Sequence, residues 1–538
     1  MYNSMFLLFS SNTIYIMLTC IILTIVLIAN DLNVKQLKKK LSLRSQLKSK
    51  LSQLSFFHGN NGTNENNNEI IYERQAPGPK RKFIIGNLDV LDGYEIPYQA
   101  FSDLAEKYGN VIKLQMGNVP SLVINGVENI KEVLIYKGHH FDSRPNFKRF
   151  QMLFDGNKEN SLAFCDWSDM QKVRRDMLST HTFPRKFSMS FNRLNDITIE
   201  NYHQLSSEIR CDIANEKSTS IKPIVMEACG NIFTEYFTSR NFDRNDKSYQ
   251  TLLRNFDKIF WEVNQGSAAD FLPFLLPFQY KNMKKMEQWS HEIRQFILHN
   301  IITDRYSAWN IGNEPNDYIE SLIDHVKQKL EPRMEWETAL FALEDIIGGH
   351  SAVANFVCKT LAFIAKDKEI QKNIQSEVDN LLNERSEKSV LIGDRNKLIY
   401  TEATIMESLR LITSPIVPHV ASQDSSIDGY TVKAGTLIFL NNYDLNMSET
   451  LWEAPKKFEP KRFLSNGRLI KPDHFIPFGV GRRSCMGYKL VQFLTFAIVG
   501  NLLKEFDIST VNGEDIKVTV GSLAIPENPY QLVFAPRH

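Results

Sequence analysis

The chain has 538 residues, 43% of them hydrophobic, which is ample material for a large folded core. Its 63 lysines and arginines almost balance 62 acids, so the clustered basic excess that nucleic-acid binding demands is missing. The six cysteines, at 20, 165, 211, 229, 358 and 485, show no paired spacing; neither a disulfide framework nor a zinc array is indicated, and a reduced compartment is.

In chain order, the first element is an uncharged run, "TIYIMLTCIILTIVLIA" (Thr13–Ala29). About 20 apolar residues span a bilayer, and no small-residue cleavage site follows, so residues 1–30 read as a retained membrane anchor rather than a signal peptide. "KQLKKKLSLRSQLKSK" comes next, with seven basic residues and no acid. By the positive-inside tendency it stays in the cytosol with everything downstream. An Asn-rich stretch, "HGNNGTNENNNE", cannot supply a core, and residues 31–71 therefore read as a cytosolic linker.

The folded part opens at residue 72 with "RQAPGPKRKFIIGNL", where Pro77 and Pro79 fix the entry of the chain. "VIKLQMG" and "SLVINGV" are early strand candidates, long helical stretches fill the middle, and "YTVKAGTLIFLNN" reads as a late hairpin. A long apolar helix is interrupted in character at "DIIGGHSAVANF" (Asp345–Phe356). Two glycines there cost the helix roughly 0.5–1 kcal/mol each against alanine.

The most specific signal is "FIPFGVGRRSCMGYKL". Phe478, Gly481, Arg483, Cys485 and Gly487 stand at F-x-x-G-x-R-x-C-x-G spacing before an apolar helical run. A glycine-loosened loop thus presents one cysteine near a helix N-terminus, where backbone N–H groups favour a thiolate. Upstream, "ESLR" places Glu407 and Arg410 on one helical face, and "FEPKRF" carries Arg462. Together these residues resemble the cytochrome P450 family, over roughly residue 72 to the end. The opening prolines and "FDSRP" (Phe141–Pro145) look similar too.

The resemblance implies a mainly α fold with small β-sheets and a haem domain over 72–538. It implies haem b with Cys485 as the axial iron ligand, Phe478, Gly481 and Gly487 shaping the haem loop, and Arg483 on a propionate. Glu407, Arg410 and Arg462 become a structural triad holding that loop. His419, in "PIVPHVASQD", stands where the family often has a propionate partner. The family's W-x-x-x-R is broken: Gln171 follows Trp167 at the usual spacing. Trp167 stays a propionate donor, and Lys172 and Arg174 become candidates. Arg174 is favoured by a seven-residue spacing that returns to the same helical face.

A second departure lies in the central helix. The family pattern [A/G]-G-x-[D/E]-T aligns with Gly349, His350, Ser351, Ala352 and Val353. In the family, glycines open this helix for oxygen, and the acid and threonine deliver protons. Ala352 and Val353 can do neither, and Ser351 points about 200° away from position 353. His350 is the candidate distal residue, with three readings open: a packed or substrate-facing side chain, a reaction that needs no relay, or proton donation or even iron ligation by the imidazole.

The function implied is a membrane-tethered haem-thiolate monooxygenase at the endoplasmic reticulum. It would oxidise an apolar small molecule with electrons from a separate NADPH-dependent flavoprotein reductase, with no nucleic acid involved. Arg482 and Lys489 are candidate reductase contacts. The alternatives are a P450-type isomerase or dehydratase acting on a peroxide, and a non-catalytic haem-binding paralogue. Phe- and Leu-rich segments such as "WEVNQGSAADFLPFLLPF" point to a bulky apolar ligand.

Overall fold

Thirty consecutive residues, Trp336–Ala365, form one helix whose flanks are covered almost throughout. It is the axis around which a computed structural model organises the chain, and the structure describes residues 74–537 apart from 216–217, 387 and 528. The anchor expected over 1–30 and the linker over 31–71 lie outside the described residues. Among the described residues the central helix alone is long and apolar enough to cross a membrane. Its burial against neighbouring helices makes it a core element instead.

The helices of eleven or more residues are, in order, α1 (Pro97–Tyr108), α2 (Asp169–Thr182), α3 (Met189–Ala214), α4 (Ile221–Thr238) and α5 (Lys247–Asn264). Then follow α6 (Leu276–Ile297), α7 (Tyr318–Gln328), the central helix α8, α9 (Lys368–Asn383), α10 (Ile399–Ile412) and α11 (Tyr488–Glu505). Several starts are set by side-chain caps. Ser168 accepts from the Gln171 amide at α2, and Asp246 accepts from the Ser248 and Tyr249 amides at α5. One large apolar cluster joins α3, α4, α5, α8, α10 and α11.

The sheets are small; the strands Phe506–Thr510 and Gln531–Pro536 pair antiparallel and join that cluster through Phe506, Ile508, Leu532 and Phe534, while the four-stranded sheet lies apart from it. Val111–Met116 pairs antiparallel with Val119–Ile124, which runs parallel to Leu437–Leu440, which in turn pairs antiparallel with His419–Val420. A separate apolar cluster fills this side of the molecule. The hairpin expected over "YTVKAGTLIFLNN" is corrected: Tyr430–Val432 pairs with Ser425–Ile427, and Leu437–Leu440 enters the four-stranded sheet. All four residues of Leu437–Leu440 are buried. So apolar a strand is stable only with neighbours on both edges and both faces covered.

The opening of α8 at its glycines is also corrected. Helical structure runs without a break from Trp336 to Ala365. The glycines serve packing instead. A Cβ on Gly348 would lie 2.9 Å from a ring carbon of Phe256 on α5, and one on Gly349 would lie 3.1 Å from a ring carbon of Phe233 on α4.

Candidate active site

Cys485 lies in a loop pinned by three local features. Its amide donates to the Phe478 carbonyl at 3.0 Å. Gly481 holds φ +75°, and a Cβ there would sit 2.0 Å from the Leu134 carbonyl oxygen, so only glycine lets the loop lie this close to the chain beside it. Gly487 then caps α11. The Cys485 side chain is exposed, yet enough protein surrounds the sulfur that burial pushes the thiol up from its usual range. The Gly487 amide, the Arg175 guanidinium and the Tyr488 amide oppose that push. These groups are the ones that would stabilise a metal-bound thiolate.

Cationic side chains converge on the same loop. Arg175, on α2, donates to the Ser484 carbonyl at 2.7 Å. Arg483 donates to the Cys165 carbonyl, while its Nε is buried without a hydrogen-bond partner. The Arg144 guanidinium reaches the carbonyls of Ala163, Val417 and Pro418 at 3.1, 2.9 and 3.1 Å. Burial and the neighbouring Arg483 and Arg175 disfavour its charge. His419 gives Nδ1 to the Phe141 carbonyl at 2.6 Å, and its Nε2 is buried and unpartnered. Burial, then Arg144, holds its pKa well below the usual imidazole value.

The hydrogen-bond acceptors of these three guanidiniums and the imidazole are all neutral carbonyls. A pocket so charged fits a ligand that brings its own carboxylates, and the orphaned Nε of Arg483 and Nε2 of His419 are where they would dock. Trp167 lies under this cluster, with the guanidiniums of Arg482 and Arg483 at 4.9 and 5.9 Å from its ring. An exposed cysteine beside a carboxylate-seeking cationic cradle suits a haem with its two propionates.

Lys172 and Arg174 are not brought to this loop. Lys172 is exposed. Arg174 is buried and donates to the carbonyls of Asn160 and Glu159 at 2.8 and 3.0 Å. The residues at the loop, Arg175 and Arg144, are ones the sequence reading passed over. Counting helical faces from Trp167 points to Arg174 instead of Arg175, because α2 begins only at Asp169, with Ser168 as its cap. Trp167 precedes the helix, so the 3.6-residue period does not reach back to it.

The triad residues meet behind the loop. Glu407 takes both prongs of the Arg410 guanidinium at 2.7 Å and Arg462 Nε at 3.1 Å. Glu407 and Arg410 are completely buried. Apart from a contact of Arg410 with Met447 Sδ at 3.9 Å, their remaining bonds go to backbone: Arg410 to the carbonyls of Asn446, Pro455 and Lys457, Arg462 to those of Glu453, Ala454 and Lys457, and the Glu459 amide to Glu407. An ion triad this well bonded fixes the chain leading into the cysteine loop.

On α8, Asp345, Gly348, Gly349 and Ala352 are half-buried within an otherwise buried run. Their spacing of three and four residues makes one stripe along the helix. His350 lies about 150° from the middle of that stripe. It is fully buried, with ring centroids 5.4 Å from Phe256 and 6.5 Å from Phe233. Its Nδ1 bonds the Ile347 carbonyl at 2.7 Å, and burial lowers its pKa to about 4. The distal placement of His350 is thereby corrected: a neutral imidazole is packed on the back of the helix. Val353 is buried as well, at 1% exposure, which leaves Ala352 facing the open side.

Asp345 ties the stripe to the cationic cluster. It accepts from the Leu162 amide at 2.5 Å and from Ser161 Oγ at 3.0 Å. Burial pushes its pKa up to about 6.

A family model for cytochrome P450 matches residues 76–534. Among known proteins, cytochrome P450 307a1 of Drosophila melanogaster is 39% identical over 502 residues, which cover 89% of this chain and 92% of that protein. Cytochrome P450 1A1 of Chelon auratus is 27% identical over 465 residues, covering 83% and 87% respectively.

Proposed function

Because the chain belongs to the cytochrome P450 family, and therefore binds haem b through a cysteine thiolate, we propose that Cys485 is that cysteine. We propose further that the protein is a monooxygenase acting on an apolar small molecule. The carrying observation is the cationic cradle of Arg144, Arg175 and Arg483, with the buried His419 beside it, around the Cys485 loop, with none but neutral acceptors of its own.

Bound here, the haem supplies dioxygen activation and transfer of one oxygen atom to substrate. The chain's own residues prepare that chemistry. Arg175 and the amides of Gly487 and Tyr488 favour negative charge on sulfur. Arg483, Arg144 and His419 would hold the haem carboxylates, the first and last through their unpartnered Nε and Nε2. Since His419 already gives Nδ1 to Phe141, its Nε2 must gain a proton before it can donate to a carboxylate; arrival of the anion makes that uptake favourable. Ala352, on the half-buried stripe of α8, carries no proton donor, so water or a substrate hydroxyl would have to deliver protons.

Apolar substrate is supported by the ring contacts around Ala163, where Phe150 stacks on Phe164 at 4.2 Å and Phe154 lies 6.1 Å from Phe164. An electron-donating flavoprotein is expected to meet the side of the molecule where α11 starts. A surface cavity of about 270 Å³ there is lined by Phe183, Lys186, Lys489 and Phe493, with Arg395 beside them already paired to Glu402; the two lysines and the rings make a setting suited to acidic side chains. Arg482, ion-paired with Asp142 at 2.9 Å, stands on the same loop as Cys485. The N-terminal anchor and an endoplasmic-reticulum location with the haem domain in the cytosol rest on the sequence alone.

The test is a carbon-monoxide difference spectrum of the reduced protein. A thiolate-type band, lost in Cys485→Ala, supports the assignment; its absence from the native protein overturns it. Oxygen-dependent consumption of NADPH with a reductase then separates a monooxygenase from a peroxide isomerase.

A further inference from the structure

The irregular segment Thr519–Pro526 is held by side chains rather than by sheet pairing. Lys359, on α8, donates to the Thr519 carbonyl at 2.6 Å and to that of Ser522. Lys222, on α4, donates to the Ile525 carbonyl at 2.8 Å and the Pro526 carbonyl at 3.2 Å. Asn355, on α8, accepts from the Ile525 amide at 2.9 Å. Each of these three side chains is buried.

The same groups reach α5. Lys222 completes its three bonds on Asp257 at 2.7 Å, and Asn355 Nδ2 donates to Asp257 at 3.3 Å. His350 and Ser351 belong to this seam. Asp257 acts on the His350 imidazole electrostatically, and the Ser351 carbonyl accepts from Asn355 at 2.7 Å. One carboxylate on α5 is therefore linked through two side chains to both the amide and the carbonyl of Ile525.

The segment also borders the site. The Gly521 amide donates to the Ile412 carbonyl at 2.9 Å and to Thr413 Oγ1 at 3.2 Å, at the end of α10. The next residues carry the Val417 and Pro418 carbonyls that hold Arg144. Asn355 is one helical turn beyond Ala352, on the element that bears the half-buried stripe.

On α5 the Phe256 ring lies against Gly348 of the half-buried stripe, and the segment Thr519–Pro526 is bonded to the end of α10 beside the carbonyls that hold Arg144. We propose that Asp257 and Asn355 are positioning residues that join α5 to this segment, so that the two elements yield together to a ligand over the stripe and its bulk is read by the pair. This rests on the haem-site reading above. A bulky ligand must then displace two coupled elements, whereas a small one displaces neither.

The test titrates the haem-loaded full chain with imidazole and with 4-phenylimidazole, following the shift of the haem absorption band. The native protein is compared with Asp257→Asn, Asn355→Leu and the double variant. With the link cut, the ratio of the 4-phenylimidazole Kd to the imidazole Kd falls about tenfold, the worth of one or two buried hydrogen bonds. Asp257→Asn, which touches the contacts of both Lys222 and Asn355, lowers the ratio at least as far as Asn355→Leu, and the double variant falls no further than Asp257→Asn. A generally loosened fold would move both ligands alike. A ratio that stays within about twofold of native or rises, or singles that add in the double, overturns the inference while leaving the haem reading intact. Absence of a thiolate-type carbon-monoxide band in the native protein overturns both.

Discussion

Arg175 donates to the carbonyl of Ser484 at 2.7 Å, which sets a guanidinium against the residue immediately before Cys485. Burial disfavours charge on Arg175 and lowers its pKa to about 10, so the bond is held by the site rather than by solvent. It both shapes the loop and favours negative sulfur. Arg175→Leu is expected to release haem about tenfold faster, the worth of about one charge-assisted hydrogen bond. It should also increase the share of protein whose carbon-monoxide band marks a protonated thiol. Transfer of haem to apomyoglobin measures the first effect and the reduced spectrum the second.

Gly481 allows no substitute. Its φ of +75° and the 2.0 Å approach of a would-be Cβ to the Leu134 oxygen act together. Gly481→Ala is expected to shift the cysteine loop and leave protein with a small fraction of its haem. Gly266→Ala, away from the cysteine loop, serves as the comparison, since a Cβ there meets nothing within 4 Å. Haem-to-protein absorbance ratios after identical expression decide between them.

Glu407→Ala strands two guanidiniums, one of them completely buried. Breaking a buried pair from one side costs roughly 3–5 kcal/mol. The expected outcome is protein that fails to accumulate with haem. Glu407→Gln, which keeps the shape but not the charge, should recover part of the yield.

His350 makes stability fall with acid. Its folded pKa is about 4 against an ordinary value near 6.5, so between those pH values the unfolded chain binds the extra proton. Its contribution is therefore constant above about pH 6.5 and is lost progressively down to about pH 4, by about 3 kcal/mol in all. His350→Leu lacks this loss. Melting temperatures of the native and variant proteins should converge in the variant's favour as pH drops through that window; parallel curves would refute the assignment.

Ala352 and Val353 are not equivalent. Ala352 lies on the half-buried stripe and Val353 is buried. A threonine hydroxyl at 353 would bond back to the helix carbonyl four residues earlier. Val353→Thr alone is thus expected to leave the ratio of product to NADPH unchanged, while adding Ala352→Glu raises it. Product and NADPH measured together give the answer.

Much of the site was legible where chemistry depends on fixed spacing within one segment. The loop from Phe478 to Gly487 and the pair Glu407–Arg410 are local patterns, so a single sequence displays them. Arg175 was hidden because a helical count started from Trp167, a residue outside the helix. Arg144 was hidden because its acceptors, Val417 and Pro418, lie some 270 residues away. The glycines of α8 misled for a related reason. Loosening and close packing leave the same mark in sequence, and only the rings of Phe256 and Phe233 distinguish them. His350 could not be oriented without knowing which flank of α8 those rings cover.

The short stretch from Glu159 to Cys165 accepts Arg174, Arg144 and Arg483 on its carbonyls and gives its Leu162 amide to Asp345. Its partners come from α2, the chain before it, the cysteine loop and α8. A stretch whose backbone is satisfied by so many separate elements settles only when all of them have arrived. The stretch is consequently a checkpoint for the packing of the site: a shift of α2, α8 or the cysteine loop strips a partner from its backbone, and a protease that cuts at residues 159–165 would count the molecules in which one of those elements is out of place.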